Sequence, residues 1–149
     1  MNDWLLYLHL VAAMVWLGGV AVLSVAGALV ARSGDAALVG RFVRSLRVLG
    51  PAVLAPGALG TVAFGIWMAA RGPWTFDQGW VRLALGLAVA AIALGAGVLA
   101  RNAALAQRAA AGGDVAEAVR RLRLWSWGLR AVLVLLLVIA WDMVFKPGL

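Results

Sequence analysis

Four long apolar segments constrain this chain more than any other feature of its sequence. They cover about residues 4–31, 50–70, 81–100 and 124–145. Each is long enough for a helix to cross the hydrocarbon of a bilayer, which takes roughly 20 residues. Continuous apolar runs exclude a membrane β-barrel, whose strands alternate apolar and polar residues. The sequence therefore predicts one all-α membrane domain over residues 1–149, an integral membrane four-helix bundle.

Composition supports a location in lipid. Hydrophobic residues make up 65% of the 149 residues, whereas a soluble domain has about 45–50%. A water-soluble core of this size could not bury so many apolar side chains, so lipid must cover the rest. The first segment lacks a basic region before it and is too long for the core of a signal peptide, so we expect it to remain as a helix.

The basic residues predict the orientation of the bundle. Only three basic residues lie in or near the second connection or after the fourth segment. They are Arg71, Arg82 and Lys146. Because cytoplasmic connections are rich in Lys and Arg, we expect a bacterial inner-membrane protein with both termini outside. The net charge of +7 then indicates contact with anionic lipid headgroups and not with nucleic acid. The remaining ten basic residues, all near the first or third connection, are Arg32, Arg41, Arg44, Arg47, Arg101, Arg108, Arg120, Arg121, Arg123 and Arg130.

These two basic connections have helical patterns of their own. Residues 36–49 combine a helical row of apolar side chains with arginines, which predicts an amphipathic helix on the membrane surface. Residues 101–123 are rich in alanine and are interrupted at Gly112-Gly113. Asp114 is a suitable N-cap for the segment that follows, so helices three and four should extend as a hairpin. Pro56 predicts a kink in helix two.

Most tryptophans have positions typical of interfacial anchors. Trp16 is the exception, because it lies deep in the first segment. The expected anchors are Trp4, Tyr7, Trp67, Trp74, Phe76, Trp80 and Trp141 at the outer interface, and Trp125 and Trp127 at the inner one.

His9 is the only histidine, and it lies about five residues inside the first helix. Helical spacing places it on one face with Trp16 and Gly19, where small residues would admit another helix or a flat cofactor. An ionisable residue at this depth indicates a functional site, here the ligation of haem b or copper. The alternatives are proton-linked chemistry, or a neutral histidine hydrogen-bonded to a neighbouring helix or to the outer-loop backbone.

One histidine limits the ligand sets that a single chain can supply. A thioether together with an imidazole suits Cu(I) or haem iron, and Met68 and Met143 fall at levels comparable to His9. A second copy of the chain could instead supply a second histidine, which would require a homo-oligomer. Asp142 could pair with His9, Arg71 or Arg82 or reach the headgroups, and Arg130 could extend to the interface or form an inward ion pair.

The first helix resembles a known group of small bacterial membrane proteins. Its residues His9, Trp16, Gly18 and Gly19 match the first-helix signature of the copper-resistance protein D (CopD) type of membrane domain and of an uncharacterised family of predicted integral membrane proteins. The closing residues Met143 to Gly148 look like that uncharacterised family. The resemblance implies four helices, and the CopD likeness implies copper handling through His9.

A more distant likeness is to the HemJ-type protoporphyrinogen oxidase. That family adds a lysine before the histidine and an arginine after the glycines, but residues 20–30 of this chain carry no charge. The departure argues against that activity. The chain also lacks paired catalytic carboxylates, a zinc-protease motif and a phosphate-binding loop. The sequence thus favours a haem or copper protein, with a cofactor-free accessory or scaffold protein in a membrane complex, or a small transporter, as alternatives.

Overall fold

The protein is built from four continuous helices in a computed structural model that describes residues 3–73 and 75–146. Two π-helical turns, at Gly50–Leu54 and Gly95–Leu99, join helices without interrupting them. All four continuous helices are long and apolar enough to cross a membrane, and the described residues contain no strand. The predicted all-α bundle is confirmed. The helices are α1 (Asp3–Ser33), α2 (Ala36–Leu49), α3 (Ala55–Arg71), α4 (Gly79–Leu94), α5 (Ala100–Ala111) and α6 (Val115–Phe145).

The basic connections extend the spanning helices. The second, third and fourth helices therefore run over residues 36–71, 79–111 and 115–145, beyond the predicted limits. The predicted helix over residues 36–49 is present as α2, but protein and not lipid covers the buried part of its apolar face. Val39 and Val43 are fully buried against Ala106 and Ala118. The small alanines of α5 and α6 let α2 approach closely.

Two short turns connect α1 to α2 and α5 to α6, and each is followed by an N-capped helix. Gly34 and Gly113 adopt positive φ angles of 70° and 80°, a conformation that favours glycine. Asp35 begins α2, where its carboxylate accepts a hydrogen bond from the Ala37 amide at 2.8 Å. Asp114 begins α6 and accepts from the Glu117 amide at 3.0 Å. The predicted hairpin of α5 and α6 and its N-cap are confirmed.

The helices surround a cleft. Helix α1 packs against α3 and α6, and α4 packs against α6, whereas α3 and α4 touch only sparingly. The order around the bundle is therefore α3, α1, α6, α4, with the cleft between α3 and α4. The buried core lies mainly between α1 and α6, where Leu122 and Leu129 are fully enclosed. This arrangement leaves space beside the core that the protein's own side chains do not fill.

A row of glycines brings α3 against α1. A methyl group on Gly57 would lie 3.1 Å from the backbone nitrogen of Trp16, and one on Gly60 would lie 3.1 Å from Cβ of Ala12. Small residues at helix–helix contacts in membranes permit this close approach. The prediction that another helix packs on the His9–Trp16 face of α1 agrees with this contact.

The tryptophans divide into two groups. Most expected anchors are exposed, as at Trp4 and Trp141, but Trp80 and Trp125 are buried. Trp125 packs in the core, with its ring 6.1 Å from that of Phe42. The expectation that Trp80 and Trp125 are interfacial anchors is therefore wrong, because neighbouring helices cover both rings. Trp74 lies outside the described residues.

Positive charge is concentrated at one end of the bundle. The two basic connections pack against each other, so their eight arginines share that end, which we call the basic end. Arg32 and Arg130 lie near it, in α1 and α6. Only three acidic residues, Asp35, Asp114 and Glu117, accompany these ten arginines, and the basic end therefore carries the whole net charge of +7. Glu117 pairs with Arg120 at 2.6 Å and with Arg121 at 2.7 Å.

Candidate functional site

Two cavities lie in the cleft, one above the other. The first, the His9 cavity, has a volume of about 480 Å³ and lies among α1, α3, α4 and α6. The second, the Arg47 cavity, has a volume of about 450 Å³ and lies nearer the basic end. Trp16 lines both cavities and is only 5% exposed. This buried ring lies where the two cavities meet, which gives a structural role to the one tryptophan that is not expected at an interface.

His9 is held in one orientation by the backbone of α3. Its Nδ1 lies 2.8 Å from the carbonyl oxygen of Thr61. A carbonyl oxygen can only accept a hydrogen bond, so Nδ1 carries the proton and donates it. In the neutral ring the other nitrogen, Nε2, then has the free lone pair. Histidines that bind metals commonly make this same second hydrogen bond to a backbone carbonyl.

Glycine at position 65 allows the histidine to take this position. A methyl group on Gly65 would lie 3.2 Å from Cε1 of His9 and 3.4 Å from Nδ1, closer than side chains normally approach. The ring is 6% exposed and lines the His9 cavity. Close packing on one side and a hydrogen bond to Thr61 therefore fix the imidazole beside an apolar space.

The structure brings several predicted ligands to the same cavity. Met68 and Met143 both line it, and both are partly buried. Met14 also lines it but is 68% exposed. Lys146 is the only charged residue among those that the structure describes around this cavity. The site can thus offer an imidazole nitrogen, two thioether sulfurs and one cation within an otherwise apolar lining.

Gly19 lies apart from this group. It does not line the His9 cavity, and a methyl group on it would lie 2.8 Å from Cδ2 of Leu54. Its role in the structure is to admit the π-helical turn at Gly50–Leu54 against α1. The reason is distance along the helix axis: Gly19 lies on the same face as His9 but nearly three turns closer to the basic end.

Asp142 and Arg130 also lie outside both cavities. Asp142 is fully buried, and neither carboxylate oxygen has a hydrogen-bond partner among the described residues. None of the expected ion pairs of Asp142 is formed there, and its burial contradicts an extension to the headgroups. The guanidinium of Arg130 lies 4.5 Å from the ring centroid of exposed Trp127, a cation–π contact in place of an inward ion pair.

Several residues of α3 that build the site were not among the residues predicted from the sequence. Gly57, Gly60 and Gly65 set the distance to α1, and Thr61 supplies the carbonyl that orients His9. The spacing of the three glycines places them toward one side of a helix. That spacing was a usable signal, although it does not identify α1 as the partner helix.

The fold and its apolar cleft define a multi-pass helical membrane protein. Residues 3–147 match the model of a family described as "Predicted integral membrane protein (DUF2269)", and the chain belongs to this family. The resemblance to an uncharacterised membrane family is thereby confirmed. Comparison with curated proteins and with solved structures gives no match, so the likenesses to CopD and HemJ receive no support.

Proposed function

We propose that this protein binds haem b in the His9 cavity, where Nε2 of His9 would be a ligand to the iron. The observation that carries the proposal is the hydrogen bond from Nδ1 to the Thr61 carbonyl at 2.8 Å. It leaves the lone pair of Nε2 on a fixed ring that lines an apolar cavity of about 480 Å³. Ligand-binding cavities commonly have volumes of about 300–1,000 Å³.

The residues around the cavity fit a haem better than a single copper ion. Met68 or Met143 would supply a thioether as a second ligand to the iron, and Lys146 would pair with a propionate. The apolar lining would cover the porphyrin, whose binding depends largely on burial of apolar surface. A lone copper ion leaves most of the volume unused.

Absorption spectroscopy tests the proposal directly. Protein purified from cells supplied with a haem precursor should show a Soret band, and His9→Ala should abolish it. Thr61→Val is the matched control, because it keeps the backbone carbonyl that orients His9 while altering the neighbouring side chain. A colourless wild-type protein that binds neither haem nor Cu(I) when each is supplied would refute the proposal. Copper bound through His9 without a Soret band would refute haem and support copper.

The methionines can be tested in the same spectra. Met68→Leu or Met143→Leu should shift the Soret band if its thioether binds the iron, because leucine keeps the volume but removes the sulfur. Met14→Leu is the control, since Met14 lines the same cavity but is 68% exposed. Unchanged spectra in both test variants would show that neither Met68 nor Met143 is a ligand to the iron.

A second candidate function has its own supporting observation. The close packing of His9 on Gly65 and its bond to Thr61 suit a cofactor-free accessory protein in which His9 holds α1 to α3. In that case His9→Ala would lower the thermal stability of a protein that never carries a chromophore.

The basic end supports a bacterial inner-membrane orientation with that end in the cytoplasm. Protease accessibility of the α5–α6 turn would test this orientation.

A further inference from the structure

The Arg47 cavity has features that the haem proposal does not use. Residues from every helix and from both π-helical turns line it, and nearly all of them are apolar. Among the described lining residues, Arg47 is the only charged one, and Gln107 carries the only side-chain amide. An apolar space whose lining carries one cation suits a ligand with an apolar tail and an anionic head.

Gln107 positions the guanidinium of Arg47. The Nε–H of Arg47 donates to Oε1 of Gln107 at 2.5 Å, and Nε2 of Gln107 donates to the Val43 carbonyl at 3.1 Å. Gln107 thus links α5 to the backbone of α2 and holds the arginine between them. The terminal N–H groups of Arg47 form no hydrogen bond or ion pair with the other described residues. Guanidinium N–H groups in this arrangement bind phosphate through paired hydrogen bonds.

Both π-helical turns that the described residues form face this cavity. Gly50, Pro51 and Leu54 line it from the turn before α3, and Gly95, Ala96 and Leu99 line it from the turn before α5. Single π-helical turns are rare in proteins, and those that do occur are often found at functional sites. Methyl groups on Gly50 or Gly95 would meet no atom within 4 Å. The two turns therefore present small residues from opposite sides of one open space.

We infer that the Arg47 cavity binds an anionic phospholipid, with an acyl chain among the helices and the phosphate on Arg47. The cavity lies between membrane-spanning helices, so a bilayer lipid is the amphiphile at hand. Arg47 lies at the basic end, which carries the whole net charge of +7 and therefore attracts anionic headgroups. The inference uses neither His9 nor the haem proposal.

Native mass spectrometry of the full chain in neutral detergent can count bound lipids. Phosphatidylglycerol should bind at one site, and phosphatidylcholine of the same acyl chains should bind markedly more weakly, since its choline neutralises the phosphate. Arg47→Gln should weaken phosphatidylglycerol binding about tenfold, because charge-assisted phosphate contacts are among the stronger hydrogen bonds. Arg44→Gln, on the same helix but outside the cavity, removes an equal charge and should weaken binding by about twofold or less.

A second pair of variants tests the place of the acyl chain. Gly95→Leu should fill the cavity and reduce phosphatidylglycerol binding about tenfold, since the leucine side chain would occupy the volume of several methylene groups. Gly97→Leu belongs to the same π-helical turn but does not line the cavity, and a methyl group there meets no atom within 4 Å. It should bind lipid as the wild type does.

Three results would overturn the inference. They are equal binding of phosphatidylcholine and phosphatidylglycerol, equal losses in Arg47→Gln and Arg44→Gln, and wild-type binding by Gly95→Leu. Far-ultraviolet circular dichroism and size-exclusion profiles identify any variant that fails to fold. Because the arginine pair and the glycine pair probe different ends of the ligand, one unfolded variant still leaves the other pair decisive.

Discussion

Replacement of Gly57 by alanine tests the helix contact on which the whole site depends. The added methyl group would lie 3.1 Å from the backbone nitrogen of Trp16 and 3.3 Å from its Cα. Both atoms belong to the backbone of α1, so no side-chain rotation can relieve the contact. Helices α1 and α3 would have to separate by a few tenths of an ångström.

The size of the effect follows from two opposing contributions. Overpacking of a close contact costs about 1–3 kcal/mol, whereas alanine in place of glycine in a helix gains roughly 0.5–1 kcal/mol. We therefore expect Gly57→Ala to lower the free energy of unfolding by about 0.5–2 kcal/mol. Gly86→Ala is the control, because a methyl group there meets no atom within 4 Å and only the gain remains.

Thermal unfolding in one detergent, followed by tryptophan fluorescence, measures both variants. The melting temperature of Gly57→Ala should fall by a few degrees, at about 2–4 °C for each kcal/mol in a domain of this size. That of Gly86→Ala should stay the same or rise. If Gly57→Ala were as stable as Gly86→Ala, α1 and α3 would not pack at the described separation.

Three further substitutions give distinct outcomes. Gly65→Ala should displace the His9 ring, because its methyl group would lie 3.2 Å from Cε1 of that ring. The displacement should weaken or shift the Soret band, and an unchanged band would contradict the prediction. Asp114→Ala should lower the free energy of unfolding by about 1 kcal/mol through loss of the N-cap of α6, as measured by denaturant titration. Asp142→Asn should melt at the same or a higher temperature, because an unpaired buried carboxylate is costly. A lower melting temperature would reveal a partner of that carboxylate.

The sequence predicts the number and class of the helices well, because length and apolar content decide whether a segment can span a bilayer. It also predicts that His9 and Trp16 share one face of the first helix, since helical periodicity determines which side chains lie together. The N-cap at Asp114 and the break at Gly112-Gly113 follow from local backbone chemistry. These features depend on residues that are close in the sequence, and the structure agrees with each of them.

Where the structure differs from the prediction, the difference concerns whether lipid or protein covers an apolar side chain. Lipid and protein are both apolar, so hydropathy does not show whether Val43 or Trp125 faces a membrane or a neighbouring helix. Contact between α1 and α3 depends on complementary residues that are far apart in the sequence, such as Gly65 and His9. The weak contact of α3 with α4 likewise follows from the packing of α4 on α6, which no single segment reveals.

The volume of the cleft bears on both proposals. The two volumes, about 480 Å³ and about 450 Å³, both fall within the range of about 300–1,000 Å³ that is common for ligand-binding pockets. Both spaces are partly open at the surface of the bundle, so an apolar ligand or a lipid chain can enter either of them. Because Trp16 lies where the two cavities meet, a haem on one side and an acyl chain on the other would both pack against the same ring.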